Sequence, residues 1–260
     1  MKKYALLNLA SVLLVIAVNY SSQVLRLNNT TIGEISGKYS NLFTPASYAF
    51  SIWGIIFLGL LAYGIFQVRR AFFSDKKSAF IAQTGYWFVV ANLLNATWVF
   101  ACVYDYIGLS VLIMLGILIS LLKIILNTNM EREKVSRTTL AFVWWPIGLY
   151  SGWITVATIA NIAMYLTKLG WNGSFLSETN WTVTMLIIAV VLNIIVLRKR
   201  NMSAFVGVGV WALFAIYSRH KASSEAIAYT ALAGSILLLV TLLVHNIQNS
   251  KVASRSKLKS

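Results

Sequence analysis

Charge is the scarcest property of this sequence. Of its 260 residues, 11% are charged and only seven are Asp or Glu. A typical soluble domain carries about 25% charged residues, so a water-soluble globular fold is excluded. The single cysteine, Cys102, rules out an intrachain disulfide and a cysteine-based metal site. Two prolines, Pro45 and Pro146, leave no proline-rich linker. The two histidines, His220 and His245, form no His-Glu-x-x-His pattern, and no phosphate-binding Gly-rich loop occurs. These absences argue against a metalloprotease and an ATPase.

What is abundant is apolar sequence: 58% of the residues are hydrophobic and 13% aromatic. They fall in runs long enough to span a bilayer. Backbone groups in lipid must bond within their own segment, so each run is predicted to be a helix. The fold class is therefore all-α, a polytopic transmembrane helical bundle. Eight spans are read: Tyr4–Tyr20, Pro45–Gln67, Ala79–Val103, Ile107–Leu126, Thr139–Leu166, Trp181–Leu197, Met202–Ser218 and Glu225–Ile247. The fifth is long enough to tilt, and the seventh is short.

The net charge of +15 suggests nucleic acid until the basic residues are placed. They cluster between the apolar runs, as cytoplasmic loops do beside anionic headgroups. No soluble basic surface is available to track a duplex, so the expected partners are the bilayer and a small molecule, not nucleic acid. Alternate connections divide the 22 basic residues seventeen to five, with Lys2, Arg69, Lys123, Arg198 and Lys251 among the larger set and Arg26, Lys38, Lys168, Arg219 and Lys221 forming the smaller. This bias places both termini in the cytoplasm of a bacterial-type plasma membrane. A reporter fused after Ser260 is expected to read cytoplasmic, and one inserted within Ser21–Thr44 external. The opposite readings overturn the orientation and the even number of spans.

Met1–Gln23 has the Lys-Lys start and apolar core of a signal peptide. Its apolar core is followed by Val18-Asn19-Tyr20-Ser21-Ser22 rather than an Ala-x-Ala-like site, so a retained first helix is expected. Ser21–Thr44 is a long polar outer loop. The tail Lys251–Ser260 reads as a basic solvated anchor.

The span centres hold no ionisable residue, which argues against ion-coupled transport. What remains is aromatic and amide chemistry. Of the nine Trp, Trp144, Trp145, Trp171 and Trp181 fit an interfacial aromatic belt. Trp53, Trp98 and Trp153 lie well inside spans. In the third span Ala91, Asn95, Trp98 and Cys102 share one helix face, as do Trp153, Ala157, Asn161 and Tyr165 in the fifth. Trp53 and Phe57 are paired at i+4. An Asn in lipid needs a partner, so Asn95 and Asn161 face protein or a cavity. Two helices thus offer an indole near an amide with small residues between, a lining suited to a flat apolar ligand. The same residues also read as interhelical glue and core packing.

At these residues the chain resembles the TspO translocator-protein (tryptophan-rich sensory protein) family. Phe43-Thr44-Pro45-Ala46-Ser47-Tyr48-Ala49-Phe50-Ser51-Ile52-Trp53 is similar to the family's second-helix Pro-Pro-x-Trp-Val-Phe motif and the Trp after it. Asn92-Leu93-Leu94-Asn95-Ala96-Thr97-Trp98 resembles the third-helix Leu-x-x-Asn-x-x-Trp. Pro146 through Trp153 to Asn161 resembles the fifth-helix pattern. The departures are Ala46 for the second Pro, Tyr48 for Trp, and altered Phe50–Trp53 and Pro146–Trp153 spacings. Residues 1–170 correspond to the family's five-helix unit, and 171–260 read as three additional helices with the basic tail.

The resemblance implies a pocket for porphyrins, sterol-like lipids or similar molecules, with translocation or sensing as its use. Mapped by residue, the ligand-binding set is Trp53, Phe57, Asn95, Trp98, Trp153 and Ala157, with Pro45, Pro146 and Asn161 structural or adjacent to it. By the resemblance Asn95 contacts ligand and Asn161 is helix glue. No catalytic residue, metal ligand or resident cofactor is expected. A membrane enzyme acting on a tetrapyrrole or lipid, and an uncoupled facilitator or interaction protein, stay open as alternatives, as does a homodimer.

Overall fold

A computed structural model describes residues 1–76, 78–132, 135–171 and 176–257, with side chains through residue 249. Lys77, Lys134, Lys259 and the side chains of the basic tail lie outside this described set. The described chain is helical throughout, without strands. In chain order the elements are α1 (Lys2–Val24), α2 (Ile32–Lys38), α3 (Ile52–Phe72), α4 (Ala79–Thr84), α5 (Trp87–Val103), α6 (Ile107–Asn127), α7 (Arg137–Thr139), α8 (Trp145–Lys168), α9 (Glu178–Arg200), α10 (Ser203–His220) and α11 (Glu225–Lys257). Six helical stretches are long and apolar enough to cross a membrane. Trp87–Val103 is a shorter apolar helix of 17 residues, and α10 has 18.

Local chemistry explains where these helices start and bend. Ser136 and Ser177 cap the helices that follow by accepting from backbone N–H groups three residues on. The third sequence span is not continuous. Gly85 has φ +54°, a conformation open to glycine, and it separates α4 from α5. The fifth span contains a π-helical stretch, Leu140–Trp144, just ahead of Pro146. Proline removes an N–H and crowds the preceding turn, and a π stretch absorbs that disturbance.

The loop between α1 and α3 holds structure not expected from its polar composition. Thr31 and Glu34 form a reciprocal capping box that starts α2. Arg26 pairs with Glu34 at 2.8 Å, fixing the approach to that helix.

α1 is embedded in the bundle through polar contacts. Asn8 Nδ2 donates to Gln67 Oε1 at 2.8 Å, and Asn92 Nδ2 donates to Ser11 Oγ at 3.0 Å. α1 also crosses α3 closely at Gly64, where an added Cβ would lie 3.3 Å from the Leu9 Cα. From α1 the packing runs to α3 and α5, then from α5 to α6 and from α6 to α8. The last three helices pack on one another and join the rest through α10 against α8.

α10 does more than add mass. The Ala46 N–H donates to the Ala215 carbonyl, Trp211 Nε1 donates to the Ala49 carbonyl, and Arg219 reaches the Pro45 carbonyl. The segment that carries Pro45, Phe50 and the approach to Trp53 is therefore held in place by a helix from the C-terminal third. Contacts between connecting segments mark the two ends of the bundle. Lys2 lies over Phe72, and Asn201 meets Glu131, at one end. Lys38 and Lys168 meet at Asp105 at the other.

Candidate functional site: two chambers around Trp53

Trp53 lies in the first turn of α3 and is half-buried. Its ring stacks on Phe57 at 5.1 Å and meets Tyr150 and Trp153 edge-on at 6.1 and 6.4 Å. Phe50 also meets Trp153 edge-on at 6.0 Å. This cluster separates two cavities, both of which touch Ile32, Phe50 and Trp53.

The inner cavity lies among α3, α5 and α8 under the loop. Its wall includes Pro45, Trp98, Cys102, Trp153, Ala157 and Asn161. Its volume is about 50 Å³, so side chains must move before anything larger than water enters. The lateral chamber is about 460 Å³, within the range of about 300–1,000 Å³ that ligand pockets occupy. It lies between α1 and α3 beneath the start of α2. One face of α1 lines it with Ile16, Asn19, Tyr20 and Gln23, and Phe57 stands opposite.

The residues singled out by sequence fall out as follows. Trp53, Trp98, Trp153 and Ala157 meet at the inner cavity, and Phe57 faces the lateral one. Asn95 lines neither. It is 1% exposed and sits in a directed chain: Asn19 Nδ2 donates to Asn95 Oδ1 at 3.1 Å, and Asn95 Nδ2 donates to the Tyr150 hydroxyl at 3.0 Å. Asn161, expected as helix glue or adjacent to the pocket, is on the inner wall. It also acts as glue, because Trp98 Nε1 donates to its Oδ1 at 2.8 Å and its Nδ2 donates to Ser110 Oγ at 2.9 Å. Pro45 is on the wall, and Pro146 packs against Gly59 of α3. Trp144, read as interfacial, is buried, whereas Trp145 is exposed.

Sequence reasoning missed the whole α1 side. The signal was present: Ile16, Asn19, Tyr20 and Gln23 recur at helical spacing, with polar groups inside an apolar run.

The loop over these cavities is latched. Asp105, at the turn between α5 and α6, accepts from Lys38 Nζ at 2.6 Å, Lys168 Nζ at 2.9 Å and the Tyr39 hydroxyl at 2.8 Å. Partial burial works to raise its carboxyl pKa, but these three donors outweigh that and hold it down to about 2. A depressed carboxylate stabilises above its ordinary value of 3.8, and that contribution is lost as pH falls toward about 2. The latch is thus closed at every neutral or mildly acid pH. Asp105→Asn removes both ion pairs and leaves Lys38 and Lys168 without their carboxylate. A several-fold faster trypsin cut after Lys38 is expected, and an unchanged rate at neutral pH would show that the latch does not restrain the loop.

The model of the TSPO-like protein family matches residues 5–244, nearly the whole chain and all of the longer helices. The chain belongs to the TSPO-like family. No curated protein and no solved structure matches it significantly. As a TSPO-like protein it is an integral membrane protein of the kind that binds or senses hydrophobic ligands. The family match runs on through α9 and α10 and into α11, and α10 is the helix whose contacts position the Pro45–Trp53 segment.

Proposed function

We propose that this TSPO-like protein binds a flat hydrophobic small molecule, such as a porphyrin or a sterol-like lipid, against the Trp53 ring cluster. The observation that carries this reading is the shared aromatic wall. Phe50 and Trp53 face both cavities, so a ligand seated in the lateral chamber contacts the rings that bound the inner one. Neither wall contains a carboxylate, histidine, lysine or arginine. Such a lining favours burial of apolar surface over acid–base turnover. Translocation or sensing then follows from release or from a change in the loop, and both remain uses of the same bound state.

The test is a titration of the detergent-solubilised protein with an alkyl-substituted, carboxylate-free porphyrin, followed by tryptophan quenching. Saturable quenching is expected, with the porphyrin recovered unchanged after incubation in the dark. Absence of saturable binding overturns the proposal, and conversion of the porphyrin in the dark favours the enzymatic alternative.

A further inference from the structure

The lateral chamber is apolar apart from a few groups, and one of these is unusually well defined. Asn19 sits on α1, is 8% exposed, and lines the chamber. Its amide has two N–H donors and one carbonyl oxygen. Both donors are spent inside the protein. Nδ2 donates to the Val15 carbonyl at 2.9 Å and to Asn95 Oδ1 at 3.1 Å.

This orientation is forced by the partners. The Val15 carbonyl can only accept, so the nitrogen of Asn19 must face it. Turning Asn95 over would set its own N–H donors against those of Asn19 and would take its donor away from Tyr150. The chain Asn19 to Asn95 to Tyr150 is therefore directional. It leaves Asn19 Oδ1 without a protein donor, and this oxygen is not among the sealed, unpartnered polar atoms of the interior.

We infer that Asn19 is the polar anchor of the lateral chamber, and that the chamber selects neutral apolar molecules carrying one hydrogen-bond donor, a hydroxyl or an N–H. The inference deepens the hydrophobic-ligand reading above and rests on it. Three observations support the class. An acceptor aimed into a mostly apolar chamber rewards a donor and gives nothing to a second acceptor. The eleven lining residues include no cation to receive a carboxylate or phosphate. Of the other polar residues on the wall, which include Tyr20, Gln23 and Ser47, Thr31 is already engaged by its capping box with Glu34. Asn95 is then a positioning residue that acts through Asn19 and does not touch the ligand.

A pair of probes in which one hydroxyl hydrogen is replaced by a methyl group tests this: 1-pyrenemethanol and its methyl ether, each titrated by tryptophan quenching into wild type, Asn19→Leu and Asn19→Ala. The alcohol-to-ether affinity ratio is compared between proteins, so unequal uptake into detergent micelles cancels. Wild type is expected to show a ratio several-fold above both variants, with ether binding little changed. Equal ratios in wild type and variants, with both probes binding, overturn the anchor and leave the chamber standing. Saturable binding of neither probe to wild type overturns the chamber and the anchor together. Because the ratio is read on whatever protein binds, partial misfolding of one variant does not mimic either result.

Discussion

A valine at position 152 is expected to lower the stability of the folded protein by about 1–3 kcal/mol, the usual cost of forcing extra carbons into a packed crossing. The cause is the contact between α8 and α10. A Cβ at Gly152 would lie 2.9 Å from the Phe205 carbonyl oxygen, 3.1 Å from the Phe205 Cα and 3.1 Å from the Val208 Cβ. Two of these three atoms belong to backbone, so the helices must separate. Small residues permit such close crossings inside membranes, where packing replaces the hydrophobic drive between helices. Trp153 is the next residue, so ligand affinity should fall with stability. A lower melting temperature in detergent, together with weaker porphyrin quenching, is the expected pair of results. Gly207→Ala on the opposing helix is the control, since nothing lies within 4 Å of its added Cβ. If Gly152→Val melts as wild type does, the crossing is looser than the structure shows.

Trp53→Leu is expected to weaken binding of the carboxylate-free porphyrin by up to about tenfold. The side chain meets three aromatic rings, and an aromatic pair is worth about 0.5–1.5 kcal/mol beyond buried area. The indole also faces both cavities, so no ligand position avoids it. Trp153→Leu should weaken binding several-fold, since its ring is 2% exposed and contributes to the inner wall only. Trp171→Leu should change little, because Trp171 is exposed beside Trp181 and away from both cavities. Wild-type affinity in both Trp53→Leu and Trp153→Leu would reduce these indoles to packing and remove the pocket.

The helices were legible in the sequence because lipid leaves the backbone so little choice. The places where they break were harder. Gly85 sits in an apolar run whose hydropathy is indifferent to its positive φ, and α2 announces itself only by the Thr31–Glu34 pair within a polar stretch. The site was half legible for a similar reason. Helical periodicity groups residues on one face of one helix, so Trp153 with Ala157 and Trp53 with Phe57 could be read. It does not say which helix that face meets. Asn95 and Asn161 have the same residue type beside an indole on similar helices. Only tertiary packing decides that Asn161 reaches a cavity wall while Asn95 spends its amide on Asn19 and Tyr150. The α1 side escaped notice because Asn19 has no aromatic neighbour on its own face except Tyr20, and its role depends on partners 76 residues away.

The loop is fastened to Asp105 on one side and through Arg219 to Ser40 and Pro45 on the other. Between these ties it covers the inner cavity with Ile32, Ser36 and Pro45. The lateral chamber lies instead between α1 and α3, which touch at Gly64 and Leu9 and enclose the cavity nearer the loop. On the proposed hydrophobic-ligand reading, the immediate reservoir of ligand is the hydrocarbon of the bilayer itself. Occupancy is then set by the mole fraction of ligand dissolved in lipid. A dissociation constant quoted per litre of buffer will drift with the amount of membrane in the assay, whereas one quoted per lipid will not.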